Sequence, residues 1–145
     1  MRTVGDLIDA VEGIDMNYLI AESLYQSGDD FVRLQREQML RGEREDGQPI
    51  FNVKTGSDQY SKSYAKRKGK SAPIDLYDTG AFQSDIFLQI NDPAVFIVDS
   101  GDSKSGKLQE NYGREIFGLN DNSQVEFIPI AQENLYNDLV AALSA

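Results

Sequence analysis

Ile86, Leu88 and Ile90 alternate with Phe87 and Gln89, and this period of two constrains the fold more than any other feature of the chain. An extended strand with one buried face is what places every second side chain on the same side. Asn91-Asp92-Pro93 follows as a turn cluster, and Ala94 to Val98 is a second apolar run rich in β-formers. Runs separated by about four residues pair most simply as an antiparallel hairpin. The hairpin lies within Leu76–Asn120, a stretch that reads as a turn or short helix, the hairpin, a polar loop and a second short helix.

The flanking segments read as helical. Thr3 is a suitable N-cap with Asp6 three residues on, and Gly13 is a suitable stop. From Asp15 to Leu40, Ile20, Leu24, Phe31 and Leu34 share one face, which predicts a single long or kinked helix interrupted at Ser27-Gly28. Arg33, Arg36, Glu37, Arg41, Glu43 and Arg44 crowd its end and predict a solvated or subunit-facing surface. Asp46-Gly47 signals a turn, and Ile50, Phe51 and Val53 predict a short strand. Tyr60, Tyr64 and the lysines after them fit a short helix or arm ending near Gly69. Ala131, Leu135, Leu139 and Leu143 mark a C-terminal helix over about 128–143, its start placed at Pro129 because proline is tolerated in a first turn. The expectation is one α+β domain over 1–145. Its N-terminal helical region (3–44) and C-terminal helix pack on a small antiparallel sheet within a mixed region (50–120).

Composition narrows the chemistry. The chain has 145 residues, 40% of them hydrophobic, enough for one core. It contains no cysteine and no histidine, which removes disulfides, thiolate metal sites, the usual general base and the commonest metal ligand. No cofactor is expected. The first residues include no apolar signal run and no stretch is long enough to span a membrane, so the expectation is a protein that is neither secreted nor membrane-bound. Fourteen basic and 24 acidic side chains give a net charge of −10, which argues against phosphate binding by the chain as a whole. The charge is uneven: Lys62, Lys66, Arg67, Lys68 and Lys70 fall within ten residues that contain no acid. These five are candidate contacts to a neighbouring subunit or to DNA phosphates, against the alternative of a solvated run.

Two motifs resemble active sites. Asp78-Thr79-Gly80-Ala81 spells the aspartic-protease triplet, and Ile116-Phe117-Gly118 echoes a later element of retroviral-type proteases. That chemistry needs two carboxylates sharing a proton, hence a dimer built on Asp78. The alternative is that Asp78 or Thr79 caps a helical turn over 80–84. Gly101 to Lys107 fits a phosphate loop until its last position, where Leu108 replaces the required Ser or Thr. A flexible polar loop is the plainer reading. Asp99, Asp102 and Lys104 are candidate loop contacts, and Asp99 and Asp102 lack the spacing of a calcium loop.

Several phrases in order resemble a family of small tailed-phage morphogenesis proteins, the head–tail connector, neck or tail-completion proteins common in phages and prophages of gut Bacteroidetes. They are Gln38-Met39-Leu40 with Gly42, Asp46-Gly47 with Ile50, and Tyr60 and Tyr64 with their lysines. Leu76 with Asp78-Thr79-Gly80-Ala81-Phe82 follows, then Asp99 to Lys104, Leu108, Tyr112-Gly113 and Ile116-Phe117-Gly118-Leu119. The resemblance spans about residues 34–145. It implies that Asp78, Thr79, Gly80, Gly113, Phe117 and Gly118 are structural. It also implies a non-enzymatic virion protein assembled in the host cytoplasm. Its copies would form a ring of roughly twelve or six. Portal and tail proteins would flank the ring, and DNA would pass through without sequence-specific binding. An acidic bore would then repel phosphates during passage.

Overall fold

A computed structural model describes residues 2–92 and 95–144. In chain order the elements are α1 (Val4–Glu12), α2 (Met16–Gln26), α3 (Gly28–Leu40), α4 (Lys62–Lys68), α5 (Ala81–Ser84), β1 (Ile86–Asp92), β2 (Val95–Ser100), α6 (Ser105–Tyr112), a 3-10 turn (Arg114–Ile116) and α7 (Asp121–Ser144). The fold is α+β.

β1 and β2 pair antiparallel, with Ile86 opposite Ser100 and Leu88 opposite Val98, and the register shifts between Ile90 and Asp92. Ile86 is buried and Leu88 and Ile90 half-buried, while Phe87 and Gln89 face out, as the alternation requires. Asn91 and Asp92 belong to β1; Pro93 and Ala94 of the expected turn and second run lie outside the described residues.

Thr3 caps α1 in a reciprocal box: its hydroxyl accepts the Asp6 amide at 3.1 Å and the Asp6 carboxylate accepts the Thr3 amide at 2.7 Å. The long helical region breaks into α2 and α3 at Ser27 alone, where the Ser27 hydroxyl donates to the Ser23 carbonyl at 2.7 Å and competes with regular helix. Three sequence expectations are corrected. The apolar residues Ile50, Phe51 and Val53 form no strand, because the Asn52 side chain accepts the Lys54 and Thr55 amides and turns the chain; Ile50 is instead fully buried beside an isolated Glu43–Pro49 bridge. α7 starts at Asp121, not near 128: Asn120 accepts the Ser123 amide on its side chain at 3.1 Å and caps it, leaving Pro129 inside the helix. The charged end of α3 is not all solvated. Arg36 donates to the Gln83 and Ser84 carbonyls, and buried Arg44 stacks on Phe51 and pairs with Asp46.

Among the described residues the core holds two clusters. Met39, Ile50, Ile74, Leu76, Phe82, Ile86, Ile116 and Phe117 form the larger; Phe31, Leu34 and Leu119 form a smaller one toward α7. Between them two buried glutamines of α3 take the place of a strand. Gln35 Nε2 donates to the Ile116 carbonyl at 3.1 Å, and its Oε1 accepts the Gly118 amide at 2.7 Å. One helical turn on, Gln38 Nε2 donates to the Gly118 carbonyl and its Oε1 accepts the Asn120 amide, both at 2.8 Å. Residues 116, 118 and 120 are thus satisfied on one edge by side-chain amides, which meets the requirement that buried backbone groups be paired. Beyond this ladder α1 and α2 pack along α7, and α2 and α3 also cover β1.

Candidate functional site

The five clustered cations do not act as one patch. Ser61 accepts the Tyr64 amide and caps α4, and Gly69 at φ 87° ends it in the left-handed conformation that glycine tolerates. Within that helix, Lys68 turns inward and Lys70 folds back beyond it. Both reach the buried Asp75 carboxylate, Lys68 at 3.1 Å and Lys70 at 2.6 Å, and Lys68 also donates to the Tyr77 carbonyl. The Tyr60 hydroxyl donates to Asp75 at 3.0 Å and accepts the Asp75 and Leu76 amides. These bonds hold Leu76 at φ 55°, a conformation rare for a branched residue. Burial is the largest influence on the Asp75 carboxyl and would raise it. The bonds from Lys70, the Tyr77 amide, Lys68 and Tyr60 together outweigh that, holding it below its ordinary 3.8. Burial first, and then the Asp75 charge, push the Tyr60 hydroxyl well up, so it stays protonated as a donor.

Lys62, Lys66 and Arg67 remain on the outer face, Arg67 lying 4.9 Å over the Tyr64 ring. No ion pair involves these three among the described residues. Tyr64 of α4 lines an open groove of about 590 Å³ whose walls also include Tyr60, Leu76, Phe82, Leu108 and Tyr112, and none of these three cations is among the residues that line it. Its mouth carries Asp78, Thr79 and Gly80. The volume falls in the size class of binding pockets.

Asp78 is exposed and sits 3.3 Å from Lys104 Nζ. Thr79 Oγ1 accepts the Ala81 amide at 3.3 Å, but the N-cap of α5 is Gly80 at φ 86° and carries no side-chain cap, so the triplet forms the turn into α5 and neither Asp78 nor Thr79 is the expected cap residue. The loop resembling a phosphate site is filled by its own anion. Asp99 Oδ1 accepts the Ser100 amide, the Ser105 hydroxyl and the Gln109 amide group, placing a carboxylate at the start of α6. Asp102 accepts the Lys104 amide at 2.8 Å. The expected flexible loop is therefore a closed, hydrogen-bonded turn, and of its three candidate contacts only the Lys104 ammonium reaches outward, to Asp78.

No family model, curated protein or solved structure matches the chain.

Phe117 lies in the core, Gly118 is bound by both glutamines, and Gly113 closes α6 at φ 85°. Among the described residues no group of three or more acidic side chains is placed to hold a metal ion. No described helix is long and apolar enough to cross a membrane. Sequence reasoning missed Asp75, which reads as one acid in a loop; its proximity to Pro73 and Ile74 in an apolar run was the available signal. It also missed the uncovered helical layer. α1 buries no residue, and Val4, Ile8, Val11, Tyr18, Tyr25, Val125 and Tyr136 are all more than half exposed. The same layer is purely acidic: α1 carries three carboxylates, α2 one and α7 four, with no lysine or arginine on any of them.

Proposed function

We propose that this chain is a structural subunit of a tailed-phage particle, assembling with copies of itself into a ring at the head–tail junction or upper tail. One observation carries the reading: the surface divides into an acidic helical layer with uncovered apolar side chains, and a basic helix beside an apolar groove. Unlike, complementary faces are what a head-to-tail contact needs, and such contacts close into rings or run on as filaments. Uncovered apolar surface on a folded chain marks an interaction surface. The resemblance of residues 34–145 to connector and neck proteins supplies the location. The acidic excess fits a bore that DNA passes without adhering. Portal and tail proteins are the proposed neighbours along the axis.

The Asp78 triplet offers the competing reading, a dimeric protease. A proton-sharing dyad needs two carboxylates held together, whereas the exposed Asp78 carboxylate lies 3.3 Å from Lys104 Nζ. Light scattering with negative-stain images of the same peak tests the two. Closed rings support the connector; a compact two-fold dimer with pepstatin-sensitive cleavage, lost in Asp78→Asn, would replace it.

A further inference from the structure

The groove lined by Tyr60 and Tyr64 suits an uncharged guest. Among its lining residues only Asp78 and Lys104 carry charge, and they pair with each other at 3.3 Å, so a charged ligand would have to break that pair to be held. The aromatic rings that could attract a cation already have one from the chain itself. Lys68 Nζ lies 5.2 Å from the centre of the Tyr60 ring, and the Arg67 guanidinium lies 4.9 Å from that of Tyr64.

Apolar ring surface with open hydrogen-bonding groups set among it is what the groove presents. The Tyr60 and Tyr64 rings stand 4.8 Å apart, tilted by 53°, and Phe82, Leu108 and Tyr112 extend the apolar wall. The Tyr60 hydroxyl is taken up by Asp75 and two backbone amides, but the Tyr64 and Tyr112 hydroxyls make no hydrogen bond among the described residues. Burial first, and then the nearby Tyr64, push the Tyr112 hydroxyl up, so it stays protonated as a donor. On the same lining the Gln59 side-chain amide is unused, and so is Asn52 Nδ2, while Asn52 Oδ1 accepts the Lys54 and Thr55 amides. A wholly apolar guest would strip water from these groups and return no bond, at a cost in affinity for each.

A sugar meets all of these requirements. It is uncharged, the C–H face of its ring lies flat on the negative face of an aromatic side chain, and its hydroxyls both donate and accept. A groove of about 590 Å³ has the size of a small-molecule site. We propose that this groove binds a neutral mono- or disaccharide, stacked on its tyrosine rings and hydrogen-bonded by Tyr64, Tyr112, Gln59 and Asn52. The site is independent of the ring reading, since it needs no second copy, and either can fail without the other.

Saturation-transfer NMR on the full-length chain tests this, with glucose, galactose, N-acetylglucosamine, maltose and cellobiose as probes. At least one of them is expected to give a saturable signal with a Kd in the millimolar range. Tyr64→Phe with Tyr112→Phe keeps both rings and removes two hydroxyls that the fold does not use, so the melting temperature stays and the Kd rises about tenfold or more. Gln59→Ala, at an exposed side chain, is a second variant that leaves the fold intact and raises the Kd about threefold. The proposal is overturned if none of the sugars gives a saturable signal, or if both variants bind as the wild type does, which would place the sugar elsewhere. A proline-rich peptide that binds the wild type and not the double variant, where no sugar binds, would overturn it in favour of a peptide groove.

Discussion

The Tyr60 hydroxyl and the Asp75 carboxylate are 3.0 Å apart, and that bond helps tie the arm bearing α4 to the segment whose Ile74 and Leu76 line the groove. The same hydroxyl accepts two backbone amides, so a single phenol oxygen sets the path of the chain at Leu76. Tyr60→Phe keeps the ring and removes all three bonds. Leaving buried groups unpaired costs roughly 1–3 kcal/mol, which a urea denaturation midpoint will register. Unchanged stability would show that water replaces the hydroxyl at no cost.

Acid should act through Asp75. Its carboxyl sits lower in the folded chain than the ordinary 3.8, so the stability it contributes is present above that value and is lost as pH falls through the lower, folded-state value. Asp75→Asn should be weaker at neutral pH and should show a flatter decline below about pH 4 than the wild type. Parallel profiles would assign the decline to the other lowered carboxyls, Glu43 and Asp6.

Gln38→Ala strips a partner from the Gly118 carbonyl and from the Asn120 amide, whose residue caps α7. With each orphaned group costing about 1–3 kcal/mol, a loss of roughly 2–4 kcal/mol is expected. Hydrogen exchange should rise at the Asn120 amide and through the first turn of α7. An effect no larger than an exposed Gln→Ala change would show that the ladder contributes nothing.

Gly42 and Gly47 separate backbone strain from crowding. Both have a positive φ, 74° and 80°, but a Cβ at Gly42 would stand 2.4 Å from Pro73 Cβ, while one at Gly47 would meet nothing within 4 Å. Gly47→Ala should therefore cost about 1–2 kcal/mol, the left-handed penalty alone. Gly42→Ala should cost distinctly more, read as a larger fall in melting temperature. Equal falls would mean that the Pro73 segment moves aside freely.

Pro129 removes one hydrogen bond from the interior of α7 and crowds the carbonyl of Val125. Pro129→Ala should raise thermal stability, by up to about 3 kcal/mol on the helix-propensity scale. A fall would mean that Pro129 itself is needed to pack α7 on α2.

What could be read from the chain, and what could not, follows from where the energy lies. The hairpin was legible because burial of Ile86 and Leu88 is a local alternation. The cap at Thr3 and the stop at Gly69 were legible because each acts within four residues of itself. Gln35 and Gln38 were not: a glutamine on a helix reads as solvated, and its burial depends on a backbone segment about 80 residues away. The same distance hid the start of α7, since Asn120 is fixed by Gln38 and the local signal at Pro129 pointed later. At the candidate site the cations were found, but Lys68 and Lys70 were counted with the outward three because Asp75 gives no local sign of facing them. The α1 stripe was visible as a helix face; that its fold partner covers it so little is a fact of tertiary packing alone.

The glutamine ladder has a consequence for how the chain meets other chains at high concentration. A segment as apolar as Ile116–Leu119, left with open amides, would be an edge on which a second chain could add a strand and seed aggregation. Gln35 and Gln38 occupy that edge with groups that have no continuation, so the pairing ends after one layer. At this segment a second chain therefore finds side-chain amides where an added strand would need open backbone groups.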